Sequence, residues 1–414
     1  MPCKPDLWRL VDDAMSEEVA FLQSLVQTPT DNPPGDARSM LEMLKVSLER
    51  LGIESVEVDL VEGEEAARYG QVAAGSVVAR LSFGGGGPEV VLNAHGDVVP
   101  PGLGWTYPPY GGVIDGGYLY GRGAAVSKSD IAVYTFAALA VKRLGAAGCG
   151  RVALVFNMDE ETGGHLGPRR LLERGAIAPD YALCAGSTYT LGVAHNGCLH
   201  LEVRLTGRSA HAAMPHLGAD ALEAGNALLT RLYRYRDEIG TLRSRVPGIE
   251  RPTLVVGTCH AGIHTNVVPD ACVIRLDRRV IPEEDLDLVE AELRAVIAES
   301  VRPFPDVRCE VTQLLRAESL RPLALGTPLH EALERNALAV IGEHLPAEGV
   351  PLYTDARHFA SFGIPVIMYG AGPRHLADAR GHRADERVSL RDLALATRVV
   401  AGTLADLLGI ACVW

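Results

Sequence analysis

Histidine and carboxylate side chains follow an apolar segment of the chain in a pattern that could bind a metal ion. The run VVLNAH ends in His95, and Asp97 comes two residues later. A histidine that binds a metal needs its second ring nitrogen held, and a nearby carboxylate can hold it. A lone histidine at a strand end is more commonly structural, so this pair alone leaves both interpretations open.

A second apolar run, RVALVFNM, is followed by three consecutive acids, Asp159, Glu160 and Glu161. Carboxylates this close repel each other unless a cation or bound protons relieve them. One acid could bind a metal while its neighbour accepts a proton, although a solvated acidic loop has the same composition. His211 in SAHAAMP and His382 in GHRADE could join this chemistry or be ordinary loop residues.

Buried strands that alternate with helices would position these groups. VVLNAH and RVALVFNM are typical of buried strands, and a helix is predicted between them at about 129–144, which indicates an α/β domain with a largely parallel sheet. Polar residues at the carboxyl ends of such strands open into a site. We interpret FGGGGP at 83–88 as a hairpin turn, because it lacks the spacing and the following helix of a phosphate loop.

The pattern changes in the middle of the chain. The segment from about 196 to 315 reads as strand, helix, two strands, helix and strand, an order that can fold as its own unit. The α/β order then resumes. We therefore predict a discontinuous α/β catalytic domain, residues 1–194 and 316–414, with a largely parallel mixed sheet flanked by helices. An α+β (βαββαβ) domain, residues 195–315, is inserted into it.

Composition and charge exclude several classes of function. The chain has 414 residues, with 39 Lys and Arg against 52 Asp and Glu, a net charge of −13. This balance excludes a basic nucleic-acid surface, and the lack of a long uncharged apolar stretch predicts no membrane partner. The eight scattered cysteines contain no C-x-x-C pair, and the start lacks a signal-peptide core. We expect a cytoplasmic protein with a small-molecule substrate.

The motifs together resemble the zinc-dependent amidohydrolase and peptidase family of aminoacylase, glutamate carboxypeptidase, acetylornithine deacetylase and succinyl-diaminopimelate desuccinylase. The resemblance covers nearly the whole chain and rests on a fixed order of motifs: NPPG at 32–35, AHGDVVP at 94–100, WTYPPY at 105–110, DEETGG at 159–164, NVVPD at 266–270 and TDAR at 354–357. It implies a catalytic α/β domain with an inserted lid domain, and a homodimer formed through the insert.

The resemblance also implies roles for individual residues of the catalytic domain. His95, Glu161 and His382 resemble metal ligands, and Asp97 resembles the carboxylate that orients His95. Glu160 resembles the general base that deprotonates the attacking water.

In the inserted domain, His211 resembles a lid histidine that reaches the partner subunit's active site and stabilises the oxyanion. Asn266 and Arg279 resemble groups that contact the substrate, often through a carboxylate. Arg279 could instead pair with Asp277 or another acid of the insert.

Two positions depart from the family pattern. Val126 stands where the family has a carboxylate that bridges two ions, and Gly186 stands where a second acid would bind one of them. Without a bridge, two close divalent ions repel by roughly 4 kcal/mol per unit-charge pair. We therefore predict one divalent ion per subunit, zinc, manganese or cobalt, and no second. Asp130 could be an extra ligand, although its place at the start of a helix favours a capping role.

These residues predict a metal-dependent hydrolase that cleaves a C–N bond by metal-activated water, with Glu160 as the base. The substrate class that the resemblance favours is the amide of a small N-acyl amino acid or peptide. A hydrolytic deaminase of an unusual small substrate, such as an aromatic amine, is the first alternative. The carboxylates missing at positions 126 and 186 would leave space beside such a substrate. An inactive relative that only binds metal or ligand is the second alternative.

Overall fold

The computed structural model describes residues 4–410, in which the chain forms ten α-helices. In chain order they are α1 (Lys4–Val26), α2 (Arg38–Arg50), α3 (Glu64–Ala67), α4 (Lys128–Arg143), α5 (Pro168–Glu173), α6 (Ala221–Ile239), α7 (Leu286–Val301), α8 (Pro328–Ile341), α9 (Ala356–Ser361) and α10 (Leu390–Leu407). None of these helices has the length and apolar character that crossing a bilayer requires.

The strands follow the same order along the described chain. They are β1 (Ser55–Glu62), β2 (Ala73–Gly84), β3 (Glu89–His95), β4 (Val113–Asp115), β5 (Tyr118–Tyr120), β6 (Gly150–Asn157), β7 (Tyr181–Cys184), β8 (Leu191–His195), β9 (Gly197–Thr206), β10 (Thr253–Ala261), β11 (Ala271–Val280), β12 (Arg308–Ala317), β13 (Ala347–Val350), β14 (Val366–Met368) and β15 (Arg387–Ser389).

The chain divides into two compact units. The first comprises Met1–Val193, Leu323–Ala347 and Thr354–Trp414, and the second comprises Ala194–Pro322 and Glu348–Tyr353. The second unit therefore runs seven residues past the predicted end at 315 and takes in a short segment that precedes TDAR.

The main sheet of the first unit is mixed, as the sequence predicts. Its eight strands lie in the order β1-β2-β6-β3-β7-β14-β8-β13, and β6, β3, β7 and β14 form parallel pairs with their neighbours in that run. The predicted hairpin through FGGGGP is wrong, because β6 lies between β2 and β3. The glycine run instead carries the chain across the intervening strand.

Helix α4 lies at the centre of the first unit. Its residues from Lys128 to Val141 are all buried, and it packs against α1, α10 and β3. The buried ammonium of Lys128 donates to the carbonyl oxygens of Leu25 and Thr28, both at 2.9 Å. These bonds satisfy the only long cation of the buried run SKSDIAVYTFAALAV, so this part of the helix can lie in the core.

The second unit is a four-stranded antiparallel sheet in the order β10-β11-β9-β12. Alternate residues of β9 form one buried face with α6 and α7; they are Leu199, Leu201, Val203 and Leu205. The element order β9-α6-β10-β11-α7-β12 is the predicted βαββαβ order, and the predicted fold class is confirmed.

Candidate functional site

His95 ends β3 with one ring nitrogen held and the other directed at an acid. Its Nδ1 lies 3.0 Å from the carbonyl oxygen of Asp97 and 3.3 Å from Oδ1 of the same residue. Its Nε2 lies 3.9 Å from Oε2 of Glu160. The sequence predicts that the carboxylate of Asp97 orients His95, and in the structure the backbone carbonyl of Asp97 contributes to this as well. Donation from Nδ1 leaves the Nε2 lone pair for a ligand.

Asp97 connects the two strand ends that carry the site. Its Oδ1 accepts from the backbone N–H of Glu160 at 3.2 Å, and its Oδ2 accepts from the N–H of Glu161 at 3.1 Å. Asn32 of the NPPG motif donates its side-chain amide to Oδ2 at 3.0 Å. One buried carboxylate therefore fixes His95 and both glutamates relative to each other.

The loop that carries the glutamates is held from its far side as well. Glu160 and Glu161 lie on a single 3-10 turn that begins where β6 ends. Arg357 donates to the carbonyl oxygen of Gly163 at 2.5 Å, and His358 Nε2 lies 3.1 Å from the same oxygen. Gly164 has a φ of 64°, and a Cβ there would lie 2.1 Å from Oδ1 of Asp355. Only glycine fits that close approach.

His95, Glu160 and Glu161 form a tight group in which one potential ligand atom of each lies within 4.8 Å of the others. Burial raises the pKa of Glu160 well above its usual value, and the charge of His95 only partly offsets this. Burial would lower the pKa of His95, but the charges of Glu160 and Asp97 raise it instead. The group therefore retains a proton that a divalent cation could replace.

His382 contacts this group through Glu161. Its Nε2 lies 3.1 Å from Oε1 of Glu161, and its side chain is half exposed. Burial would raise the pKa of Glu161, but the contact with His382 lowers it below its usual value. The donors that the sequence predicts thus lie in one chain of contacts, although the tight group contains Glu160 rather than His382. Two imidazoles and a carboxylate fit a single divalent ion.

The loop of His382 is tied to the turn Gly121-Arg122-Gly123, which precedes α4, by an ion pair that the sequence did not reveal. Glu386 accepts from Arg122 at 2.5 Å and from the backbone N–H groups of Ala125 and Val126 at 3.1 Å. Both charged side chains are buried. The only sequence signal was Glu386 itself, in the same motif as His382.

The two positions that depart from the family pattern carry no carboxylate here. The side chain of Val126 lies beside the loop of His382, because a Cβ on Gly381 would be 3.1 Å from Val126 Cγ2. At Gly186 a Cβ would lie 2.7 Å from the backbone of Met368 and Tyr369. The residues at these positions do not fit a second ion.

Asp130 does not cap its own helix, so the capping prediction is wrong. Its Oδ1 accepts from the backbone N–H of Ala371 at 2.7 Å, which draws the side chain away from the start of α4. Burial raises the pKa of Asp130 to about 7, and the N–H of Ala371 opposes this shift.

Two of the predicted lid residues lie together on the second unit. His211 Nδ1 accepts from the N–H of Ala213 at 3.0 Å, and the neighbouring Ala212 donates to the carbonyl oxygen of Asn266 at 3.0 Å. His264, which the sequence did not single out, has its Nδ1 2.7 Å from Oδ1 of Asn266. His211, His264 and Asn266 are all exposed and so accessible to a ligand.

Arg279 pairs with Asp277, as one of the two alternatives predicted. Its Nε and one terminal nitrogen donate to the two Asp277 oxygens at 2.9 and 3.0 Å. His200 Nε2 lies 3.0 Å from the same carboxylate, and Cys198 completes a second group of metal-ligand type. The guanidinium already balances the charge of Asp277, so this group has less need of a cation than the first.

Comparison with known proteins identifies one family of similar proteins. The family model described as peptidase family M20/M25/M40 matches residues 91–406. A succinyl-diaminopimelate desuccinylase of Gluconacetobacter diazotrophicus is 29% identical over 410 residues, which are 96% of this chain and 98% of that protein. An acetylornithine deacetylase of Vibrio atlanticus is 30% identical over 243 residues, 58% of this chain and 62% of that protein. The solved di-peptidase Dug1p of Saccharomyces cerevisiae has a TM-score of 0.84 at 14% identity and covers 98% of both chains.

Proposed function

The chain belongs to peptidase family M20/M25/M40 and is a hydrolase that acts on C–N bonds, and we propose that its substrate is the amide of a small N-acyl amino acid or peptide. The names of two relatives support this substrate class, since a desuccinylase and a deacetylase both remove acyl groups. The observation that carries the proposal is the buried group of His95, Glu160 and Glu161 at two adjacent strand ends.

Enzymes of this family are metal-dependent. In this chain His95, Glu161 and His382 would hold the ion, which when bound supplies a positive charge that lowers the pKa of water and polarises a carbonyl. Asp97 keeps Nδ1 of His95 engaged, which would leave Nε2 free to bind the ion. Glu160 would accept the proton of the attacking water and return it to the leaving nitrogen.

We propose one ion per subunit, zinc, manganese or cobalt. The support is the pair of departures at Val126 and Gly186, which removes two anionic ligands and leaves the three donors above. Metal analysis of the purified protein should return about one tightly bound ion per chain. Two tightly bound ions would contradict this count.

Glu160→Gln tests the proposed mechanism. Loss of the proton acceptor should lower kcat by about 10²–10⁴-fold, while the metal content stays unchanged because the three proposed ligands remain. Glu173→Gln, an exposed change on α5, is the matched control and should keep full turnover. Unchanged turnover of N-acyl amino acids in the Glu160 variant would overturn the role of Glu160.

Hydrolytic deamination is the second candidate, and the missing ligands at 126 and 186 favour it because they leave the substrate side of the site without two of the family's acids. A panel of N-acetyl and N-succinyl amino acids, dipeptides and aromatic amines, each with zinc, manganese and cobalt, separates the two reactions. Ammonia release from an amine, without release of an acyl group, would establish deamination.

We also propose that the protein is a homodimer joined through the second unit, with His211 serving the partner's site. His211→Ala should abolish activity and leave the metal bound. Mixed dimers of this variant with Glu160→Gln should regain part of the activity, since one of the two sites then has both groups. No recovery in verified mixed dimers would contradict the sharing of sites.

A further inference from the structure

Three segments of the first unit meet beside the candidate metal group. They are the start of α4, the residues after β7 (184–188) and the residues after β14 (368–372). The last two segments are joined along their backbones: Tyr369 N donates to Cys184 O at 2.8 Å, and Gly372 N donates to Gly186 O at 2.9 Å. Thr188 N donates back to Gly372 O at 2.9 Å.

Glycines allow these two backbones to approach so closely. A Cβ on Gly186 would lie 2.7 Å from atoms of Met368 and Tyr369, and a Cβ on Gly372 would lie 2.7 Å from the carbonyl oxygen of Gly186. Real Cβ atoms do not tolerate such distances to backbone. A carboxylate side chain at 186 would therefore require the two segments to separate.

The carboxylate of Asp130 reaches from α4 into this junction. It accepts from Ala371 N at 2.7 Å and also from the backbone N–H of Gly186. A Cβ on Gly370 would lie 1.9 Å from Asp130 Oδ1, so the carboxylate fills the space that a side chain at 370 would take. Asp130 is only 2% exposed.

We propose that Asp130 is a positioning residue that closes the second-ion position: it ties the start of α4 to Gly186 and Ala371, and it acts through hydrogen bonds rather than as a metal ligand. The inference rests on the proposed one-ion function. Asp130 does not belong to the group of His95, Glu160 and Glu161, and its Oδ1 is directed at the backbone N–H of Ala371. The junction holds the start of α4, and the preceding Ser127 accepts from the backbone N–H of His95 at 3.3 Å, so His95 is kept in place without a second cation.

Asparagine and alanine at position 130 separate a positioning role from ligation. Asn keeps one oxygen that can accept from Ala371 N, so Asp130→Asn should bind zinc within about threefold of the parent in a chelator competition. Asp130→Ala removes both hydrogen bonds and should weaken zinc binding by about 10–100-fold and lower the melting temperature. Ser129→Ala, on the same buried turn, is the matched control and should change neither.

Two outcomes would overturn the positioning role. If Asp130→Asn loses as much zinc affinity as Asp130→Ala but keeps the parent's melting temperature, Asp130 is a ligand. If Asp130→Ala keeps the parent's zinc affinity and melting temperature, the junction does not depend on it. Zinc affinity is measured without substrate, so these results are independent of the turnover test on Glu160.

Val126→Asp tests the closure itself. This change restores a carboxylate at the bridging position, yet the protein should still bind one zinc ion, because the place beside Gly186 stays filled. Val126→Asn controls for polarity without charge and should give the same count. Two tightly bound ions in the Asp variant would show that the position is open.

Discussion

Two sets of buried acids in the first unit are balanced in different ways. In the core pair, Arg122 and Glu386 behind the loop of His382, the guanidinium and two backbone N–H groups offset part of the cost of burying Glu386. In the site, Glu160 and Glu161 each bring an oxygen within 4.8 Å of a ring nitrogen of His95, and the group holds a proton that a cation could replace. The group of His95, Glu160 and Glu161 is therefore arranged to receive positive charge from outside, whereas the core pair already contains its cation.

Breaking the core pair should have the largest effect on stability. Arg122→Met leaves the carboxylate of Glu386 buried without its cation and should cost about 3–5 kcal/mol in free energy of unfolding. Urea denaturation measures the change. The double variant Arg122→Met/Glu386→Met should recover most of it, since no isolated charge remains. A loss below about 1 kcal/mol in the single variant would place the core pair in the same class as exposed pairs.

A third kind of buried acid, held as a neutral group, gives a pH test of the comparison. Burial raises the pKa of Glu18 to about 8, and the hydroxyl of Thr397 lowers it less. Because the folded pKa exceeds the unfolded value of 4.5, the folded state holds this proton more tightly. Stability from Glu18 is therefore present below about pH 4.5 and is lost as pH rises towards 8.

Glu18→Gln removes that loss. Between pH 5 and pH 8 the free energy of unfolding of the variant should rise by on the order of 3 kcal/mol relative to that of the parent. Urea denaturation at both pH values measures this difference. Other groups titrate equally in both proteins and cancel in the difference. A difference between parent and variant that does not change with pH would show that Glu18 is ionised in the fold.

Metal binding should raise the free energy of unfolding through the donors of the site. Zinc at about 100 times its dissociation constant should add about 2.7 kcal/mol to the free energy of unfolding, because only the folded chain assembles the donors. A chelator should reverse the gain, as a thermal melt can record. His95→Ala should show no gain, whereas Glu18→Gln should show the full one. An equal gain in the His95 variant would place the metal elsewhere.

Exposed acids should show the smallest effect. Glu173 pairs with Arg169 one helical turn away, and about half of each side chain is exposed. Glu173→Gln should change the free energy of unfolding by less than about 0.5 kcal/mol, which chemical denaturation can resolve. A change as large as that expected for Arg122→Met would remove the distinction between buried and surface charges.

Local patterns predicted much of this molecule because the signals were local. Alternation along β9 and the periodicity of α6 and α7 specified the element order of the second unit, and the fold class is confirmed. Polar residues at the ends of β3 and β6 identified His95, Asp97 and the two glutamates, since adjacent parallel strands bring their carboxyl ends together. The functional roles of these residues stay predictions.

The same reasoning failed for contacts between residues that are far apart in the sequence. Nothing near FGGGGP indicates that β6 would lie between β2 and β3, because strand neighbours are decided by packing across the whole sheet. Asp130 carries the local signature of a helix cap, yet its partner Ala371 is 241 residues away. The partner of Arg122 is likewise 264 residues away, so neither contact leaves a local signal.

That separation of Arg122 from Glu386 has a consequence for the growing chain on the ribosome. At about 5–20 residues per second, roughly 13 to 53 seconds pass between synthesis of the two residues. During that interval Arg122 lacks its partner and β7 lacks β14 beside it, whereas β9 to β12 emerge in one continuous stretch. The first unit therefore completes its contacts later than the sheet of the second unit.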